Sequence, residues 1–228
     1  MSRIVVIGGH GKVALLLAPI LSARGDQVVS LIRNPDHAEE VAAGGASPLL
    51  LSVETAGVQD LTEAFDGADA VVWSAGAGGK GGPERTDAVD RAAAIRTMEA
   101  AAAAGAGRYV MVSFIGSHGE VADDHPLRDY ALAKLAADRH LQSTDLDWTI
   151  LGPGLLTLDE PTGSITVARG RDAVGGSLPT SRGNVAAVIA AVLEEPASIG
   201  AVIPFFDGDT PIAQAVAQVP AEFSDLSS

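Results

Sequence analysis

The chain has no cysteine, and it has few basic residues for its size. Without cysteine, disulfides, thiolate nucleophiles, zinc–thiolate sites and iron–sulfur clusters are excluded. Lysines and arginines total 15 against 29 aspartates and glutamates, which gives a formal net charge of −14. Binding to nucleic acid or to an anionic membrane requires clustered basic residues. No basic block occurs, so neither is expected as a partner.

Long apolar runs are also missing. No apolar stretch approaches the roughly 18 residues of a membrane-spanning helix, and the chain enters a strand without a leader-type basic and apolar segment. We therefore expect a cytoplasmic protein. The 228 residues, 47% of them hydrophobic, suffice for the core of one domain. Because no repeat or linker interrupts the chain, a single domain over residues 1–228 is predicted.

The first motif is a glycine-rich turn between a strand and a helix, in the segment RIVVIGGHGKVALLL at 3–17. Gly8, Gly11 and Ala14 follow the spacing G-x-x-G-x-x-A. In dinucleotide-binding turns the first glycine permits the bend, the second admits the pyrophosphate, and the small third residue lets helix pack on strand. The helix N-terminus adds unpaired N–H groups. The segment predicts a phosphate cradle, and a purely structural turn is the alternative.

A second signal follows the predicted strand Gln27 to Ile32. NAD-binding folds place an acidic residue here to bind the adenosine ribose hydroxyls. This chain has Arg33 and Asn34 instead. The donor fork of an arginine suits a 2′-phosphate, so NADP(H) is favoured over NAD(H). The alternative is a solvated arginine.

Strands and helices alternate along most of the chain. This alternation predicts an α/β, Rossmann-type, doubly wound and mostly parallel sheet of about six or seven strands, with helices on both faces. A second glycine-rich turn at 75–79 follows the fourth predicted strand, where the cofactor would cross the sheet edge. Residues 155–180, rich in Gly, Thr and Pro, are predicted to form a small C-terminal cap on the substrate side.

Tyr130 and Lys134 lie four residues apart on a predicted helix from Pro126 to about Gln142, so they share one face. A lysine ammonium near a phenol favours the phenolate. We therefore expect a lowered pKa for Tyr130 and proton exchange with a carbonyl or alcohol near neutral pH. A residue that only packs its ring beside the cofactor is the alternative for Tyr130.

Together with the cradle, Arg33 and a strand ending in Ser113, this pair resembles the short-chain dehydrogenase/reductase superfamily. The chain is most similar to its atypical NAD(P)H-binding branch, which includes NmrA-like proteins and flavin/biliverdin reductases. The resemblance is carried by VIGGHGKVA at 6–14, LIRNP at 31–35, ADAVV at 68–72, YVMVS at 109–113, LDWTILGPG at 146–154, SRGNVA at 181–186 and GDTPI at 208–212.

The resemblance implies a cofactor site and a catalytic set. It implies that Lys134 also holds the nicotinamide ribose hydroxyls and that Pro153 borders the nicotinamide. The implied catalytic residues are Tyr130, Lys134 and Ser113. The implied cofactor-binding residues are Gly8, Gly11, Lys12, Val13, Arg33, Asn34, Ser52, Ala75, Gly76, Lys134 and Pro153.

Two positions depart from the family pattern. Relatives usually carry an acidic residue at the end of the third strand, where this chain has Ser52 and Val53. Those with a catalytic hydroxyl tend to carry it one place after Ser113, where this chain has Phe114.

A loop with His118, Glu120, Asp123, Asp124 and His125 contains residue types that bind divalent metals. No helical or hairpin spacing fixes their geometry, so a solvated loop is favoured and no metal site is predicted.

The expected function is NADPH-dependent reduction of a small carbonyl, quinone or flavin-like acceptor by an oxidoreductase that acts on a small-molecule substrate as a monomer or homodimer. Two alternatives stay open. One is a non-catalytic NADP(H)-binding redox sensor, which Phe114 favours; the other is a sugar-type epimerase or isomerase that uses the cofactor transiently.

Overall fold

In the part of the chain that the structure describes, parallel strands make up most of a nine-stranded sheet at the centre of the protein. The computed structural model describes residues 1–77, 81–115, 127–168 and 178–219. The strands are β1 (Arg3–Ile7), β2 (Gln27–Ile32), β3 (Ser47–Leu50), β4 (Ala70–Trp73), β5 (Arg108–Val112), β6 (Asp147–Pro153), β7 (Leu155–Thr157), β8 (Ser164–Val167), β9 (Pro179–Ser181), β10 (Ala201–Asp207) and β11 (Thr210–Pro211).

The helices are α1 (Lys12–Ala23), α2 (Ala38–Ala43), α3 (Val58–Ala64), α4 (Gly82–Thr86), α5 (Ala94–Ala104), α6 (Arg128–Gln142), α7 (Arg182–Glu194) and α8 (Ile212–Ala217). A π-helical segment, Asp87–Ala93, joins α4 to α5, and short 3₁₀ turns span Pro35–His37 and Pro196–Ser198. The sequence predicts a helix over 87–104. The structure begins this helical region at Gly82 and interrupts it with the π segment.

The strand order is β11-β8-β10-β6-β5-β4-β1-β2-β3. The strands from β10 to β3 pair in parallel, whereas β8 is antiparallel to both β10 and β11. The parallel strands match the expected six or seven, and the two short antiparallel strands enlarge the sheet beyond that number. The sequence predicts the sixth strand over Trp148 to Leu151, and β6 continues two residues beyond that, through Gly152 and Pro153.

Helices cover both faces of the sheet and bury two separate clusters of apolar side chains. On one face α1 and α7 pack together, with Leu17 and Val188 among the fully buried residues. On the other face α3, α5 and α6 pack against the sheet, with Leu61 and Met98 fully buried. The predicted Rossmann-type architecture is confirmed, because crossover helices lie on both sides of a mostly parallel sheet.

The region expected to form the cap divides between two sheets. β7 pairs with β9 in a separate two-stranded sheet, whereas β8 belongs to the edge of the central sheet. Within the described ranges, no helix is both long enough and apolar enough to cross a membrane.

Candidate active site

The glycine-rich turn packs directly against the end of the neighbouring strand β4. Gly8 has a φ of +78°, and a Cβ there would lie 2.8 Å from the carbonyl oxygen of Ser74 and 2.9 Å from Cα of Ala75. A Cβ on Gly11 would lie 3.0 Å from the carbonyl oxygen of Gly8. Only glycine fits the bend at Gly8, and the bare backbone leaves room for a phosphate beside the N-terminus of α1.

This turn lies where the chain order of the sheet reverses. β1 pairs with β2 on one side and with β4 on the other. Doubly wound folds bind ligands outside the carboxyl ends of the strands at this switch point. Two cavities of about 260 and 730 Å³ meet here and share Gly11, Ser74, Ala75 and Gly76 in their walls. They form one cleft with a narrow end and a wide end.

Most of the predicted site residues line this cleft. The narrow end is lined by Gly8, Gly11, Arg33, Ser52, Ala75 and Gly76. The wide end is lined by Gly11, Lys12, Val13, Ala75, Gly76, Ser113, Tyr130 and Lys134. Two predicted residues lie elsewhere. The Asn34 side chain accepts a hydrogen bond of 3.1 Å from the Asp36 N–H and so caps the following 3₁₀ turn, and Pro153 is buried within β6.

At the narrow end, the Arg33 guanidinium has an acidic partner in the wall of the cleft. Its guanidinium forms an ion pair with Glu54, whose carboxylate also accepts a hydrogen bond of 2.8 Å from Nη2 of Arg85. The hydrogen bond from Arg85 outweighs partial burial and, with Arg33, lowers the pKa of Glu54. Relatives usually carry an acidic residue at the end of the third strand, where this chain has Ser52 and Val53. Glu54 places a carboxylate two positions beyond Ser52.

Two histidines complete the rim of the narrow end. The rings of His10 and His37 stack with centroids 3.4 Å apart. Nε2 of His10 lies 2.7 Å from a carboxylate oxygen of Glu40. The contact ties the glycine-rich turn to α2 and orients the imidazole of His10.

At the wide end, Lys134 is buried beside an acidic partner. Its Nζ lies 3.3 Å from Oδ1 of Asp90 and 3.3 Å from the carbonyl oxygen of Val112. The other carboxylate oxygen of Asp90 accepts a hydrogen bond of 3.1 Å from the Ala77 N–H. An ammonium has three protons, and Asp90 and Val112 are the two oxygen partners of Nζ among the described residues, so one proton stays available for a ligand in the cleft.

The same surroundings set the charges of the Tyr130 and Lys134 pair. Burial lowers the pKa of Lys134, but Tyr130, Asp90 and Asp138 together outweigh it and raise that pKa. Burial raises the pKa of Tyr130, and the opposing effect of Lys134 does not cancel this rise. The sequence-based expectation of a lowered tyrosine pKa is therefore wrong in direction, because burial and the two nearby carboxylates act against the phenolate. Tyr130 stays protonated at neutral pH and can act as an acid.

Tyr130 also contacts the residue that replaces the family hydroxyl. Its ring lies 5.1 Å from the ring of Phe114, centroid to centroid, with an interplanar angle of 44°. The Lys134 ammonium lies 5.9 Å from the centroid of the Tyr130 ring. The Tyr130 side chain thus has both an aromatic ring and a cation beside it.

The Ser113 hydroxyl is hydrogen-bonded to another side chain of the protein. It donates a hydrogen bond of 2.7 Å to Oδ2 of Asp138, and both side chains are buried. A hydroxyl has a single proton. Ser113 therefore cannot donate to a substrate while this bond is made.

Several residues of the site were not predicted from the sequence, namely Glu54, Arg85, Asp90, Asp138 and Arg182. Asp138 carried a usable signal, because it lies four residues after Lys134 and eight after Tyr130 on one helix face. Arg182 opens α7 and lines the wide end of the cleft, while its Nη1 donates hydrogen bonds to the carbonyl oxygens of Leu156 and Thr157.

The predicted loop cluster of histidines and acidic residues at 118–125 lies outside the described residues. Among those that are described, no group of three or more histidine, aspartate or glutamate side chains is arranged to hold a metal ion.

Comparison with known proteins gives relatives along nearly the whole chain. The uncharacterized sugar epimerase YhfK of Bacillus subtilis is 31% identical over 215 residues, covering 94% of this chain and 98% of the relative. A solved structure from Bacillus halodurans, named as an NAD-dependent epimerase/dehydratase, is 34% identical with a TM-score of 0.86 and covers 96% of this chain and 100% of its own.

The oxidoreductase ylbE of Lactococcus lactis is 31% identical to this chain with a TM-score of 0.82, and 94% of each chain is covered. The sequence model of the NAD(P)H-binding family matches residues 8–196, which include the glycine-rich turn, Arg33 and the Tyr130–Lys134 pair. The chain therefore belongs to the NAD(P)H-binding family.

Proposed function

We propose that this protein is an NADPH-dependent reductase of a small carbonyl, quinone or flavin-like acceptor. The observation that carries the proposal is the single cleft, which joins Arg33 at its narrow end to Tyr130 and Lys134 at its wide end across the glycine-rich turn. The fit of a dinucleotide is supported by Gly8 and Gly11, because the close packing of the turn on Ser74 and Ala75 admits no Cβ at Gly8 and little room for one at Gly11, which leaves the backbone of the turn bare beside the N-terminus of α1.

Each part of the cleft has a separate task. Lys12 and Val13 bind the pyrophosphate through their backbone N–H groups at the N-terminus of α1, and Gly8 and Gly11 let the pyrophosphate approach the backbone of the turn, in which the Gly11 N–H donates to the Gly8 carbonyl oxygen. Arg33 binds the 2′-phosphate through its guanidinium. The remaining proton of the Lys134 ammonium binds ribose hydroxyls.

NADPH, when bound, supplies the hydride. Tyr130 donates the proton from its phenol oxygen to the acceptor, and its raised pKa keeps that proton in place until the acceptor becomes basic. The Lys134 ammonium stabilises the phenolate that remains. Phe114 provides an aromatic surface beside Tyr130 for a planar acceptor.

Turnover of the Tyr130→Phe variant tests this proposal. A screen of quinones, flavins and small aldehydes is followed by the loss of NADPH absorbance, and the variant is then assayed on the best acceptor. We expect kcat to fall about 100-fold or more, the usual contribution of a positioned acid, with NADPH affinity unchanged.

Tyr109→Phe is the matched control. Tyr109 is fully buried in β5, and its hydroxyl pairs with Oγ1 of Thr97 at 2.8 Å. This variant loses the same oxygen outside the cleft and should turn over normally. Unchanged kcat in Tyr130→Phe would remove the tyrosine from the reaction.

An epimerase is the second candidate, because YhfK and the Bacillus halodurans protein carry epimerase names. It would use the same cleft with oxidised cofactor, and its substrate would give up a hydride and then regain it on the opposite face of the same carbon. A sugar substrate would then be isomerised without net consumption of NADPH, which chromatography of the products distinguishes from reduction.

A non-catalytic sensor is the third candidate, and the engagement of Ser113 by Asp138 favours it. It predicts tight binding without turnover and different affinities for NADPH and NADP⁺, because a ligand shifts a conformational equilibrium only through differential affinity. Calorimetric titration with both forms tests it.

A further inference from the structure

The narrow end of the cleft contains one carboxylate between two guanidiniums. Oε1 of Glu54 pairs with Nη1 of Arg33 and lies 2.8 Å from Nη2 of Arg85, and Oε2 lies 3.4 Å from Nε of Arg85. Glu54 is the acidic residue among the described residues that line this cavity. It holds both arginines in the manner in which a bound anion would hold them.

The two arginines are anchored to different degrees. The Arg85 side chain is 27% exposed, and its Nη1 also donates to the carbonyl oxygen of Ala77. The Arg33 side chain is 61% exposed. Arg33 can therefore turn from Glu54 to a ligand at small cost, whereas Arg85 is held in the wall of the cavity.

The carboxylate itself is held in place by its backbone. Nη2 of Arg96 donates a hydrogen bond of 2.9 Å to the carbonyl oxygen of Val53. This bond fixes the chain immediately before Glu54. Because Arg85 and Arg33 also lower the pKa of Glu54, the carboxylate is ionised at neutral pH.

We propose that Glu54 is a specificity-determining residue that competes with the 2′-phosphate of NADPH for Arg33 and Arg85. The inference rests on the proposed function for its cofactor. A phosphate monoester brings a charge of about −1.5 to −2 at neutral pH, and Glu54 repels it while occupying the donors it needs. The ribose hydroxyl of NADH has no such charge and can donate a hydrogen bond to the same carboxylate. Glu54 thus weakens NADPH binding and favours NADH binding. It therefore reduces the preference for NADPH over NADH that Arg33 creates.

The test is calorimetric titration of Glu54→Gln with NADPH and NADH, and with the fragments 2′,5′-ADP and AMP, which differ only in the 2′-phosphate. We expect the affinity ratio of 2′,5′-ADP to AMP, and that of NADPH to NADH, to rise about fivefold or more, the size of a partly screened charge pair.

Glu63→Gln is the matched control. Glu63 lies on the exposed face of α3 and pairs with Gln59, so this variant changes the net charge equally but should leave both ratios unchanged. Unchanged or lower ratios in Glu54→Gln would overturn the proposal, as would equal rises in both variants.

If circular dichroism shows that Glu54→Gln does not fold, the same titrations of Glu54→Asp test the proposal instead. It keeps the charge but withdraws the carboxylate by one methylene, and at least a twofold rise of the fragment ratio is expected; no rise overturns the proposal. The fragments lack the nicotinamide, so a changed ratio without any turnover would remove the reductase function and leave this inference standing. If the wild-type chain binds neither fragment, the inference falls.

Discussion

Nζ of Lys134 and Oδ1 of Asp90 lie 3.3 Å apart, and their side chains are 3% and 0% exposed. The pair joins α6 to the π-helical segment beneath the wide end of the cleft. A buried charge that loses its partner is strongly destabilising, whereas removal of both charges together is much less so.

Asp90→Asn is therefore expected to lower the free energy of unfolding by about 3 kcal/mol or more. Lys134→Met should have a similar cost, because it leaves the Asp90 carboxylate buried with the Ala77 N–H as its hydrogen-bond donor among the described residues. The double variant should cost clearly less than the sum of the two. Urea denaturation of all four proteins measures this, and additive effects would mean that the two residues do not interact.

The tight turn at Gly8 predicts a loss of cofactor binding in Gly8→Ala. The added Cβ would clash with Ser74 and Ala75 in the wall of the cleft, and the backbone has a φ of +78° that alanine adopts poorly. We expect destabilisation of about 1–2 kcal/mol from the strained backbone and a fall in NADPH affinity of at least tenfold by calorimetry.

Gly25→Ala separates the two effects. Gly25 has a φ of +92°, but a Cβ there would have nothing within 4 Å. This variant should show the destabilisation without the loss of affinity. Equal affinity losses in both variants would mean that strain, not the cleft wall, controls binding.

Arg108 is a half-buried structural cation at the start of β5. Its guanidinium donates hydrogen bonds of 2.6 to 3.0 Å to the Asp147 and Val192 carbonyl oxygens and to the Thr149 and Ser198 hydroxyls. Burial lowers its pKa to about 10. Arg108→Met should cost about 3 kcal/mol, because several buried oxygens lose their donor at once.

Arg91→Met is the control for Arg108. Arg91 makes an exposed pair with Asp87, with side chains 42% and 53% exposed, and such pairs contribute about 0.5 kcal/mol. Thermal or urea unfolding compares the two variants. A cost for Arg108→Met no larger than that for Arg91→Met would contradict the buried hydrogen-bond network.

Asp26 predicts a specific loss of stability in acid. Burial raises its pKa, but the Ser2 N–H at 3.0 Å and Arg24 at 2.6 Å outweigh burial and lower it. The ionised Asp26 carboxylate therefore stabilises the folded state. This contribution is complete above the pKa of about 3.9 that Asp26 has in the unfolded chain, and it is lost as the pH falls through the lower pKa of the folded state.

Asp26→Asn should therefore be less stable than wild type by about 2 kcal/mol at pH 7, and the difference should shrink as the pH falls below about 4. Denaturation curves at several pH values measure it. A difference that stays constant down to about pH 2 would mean that the carboxylate charge contributes nothing.

The sequence alone predicted the fold class and most of the cleft. Gly8, Gly11 and Arg33 follow strands in positions that a Rossmann-type sheet must bring to one edge, so their grouping did not need the structure. The pairing of Tyr130 with Lys134 follows from helical periodicity. The direction of the Tyr130 pKa shift did not follow, because the burial of the phenol and the charge of Asp90 arise only when distant parts of the chain pack together.

The local sequence thus determined the glycine-rich turn, the shared helix face and the alternation of strands and helices, since each depends on residues within a few positions of one another. Only the tertiary structure decided the charge partners. Glu54 reaches Arg85 across 31 residues of chain, and Ser113 reaches Asp138 across 25. No local period brings such residues together; their contacts depend on how the whole sheet and its helices pack. The chemistry that the cleft can perform is set by those partners.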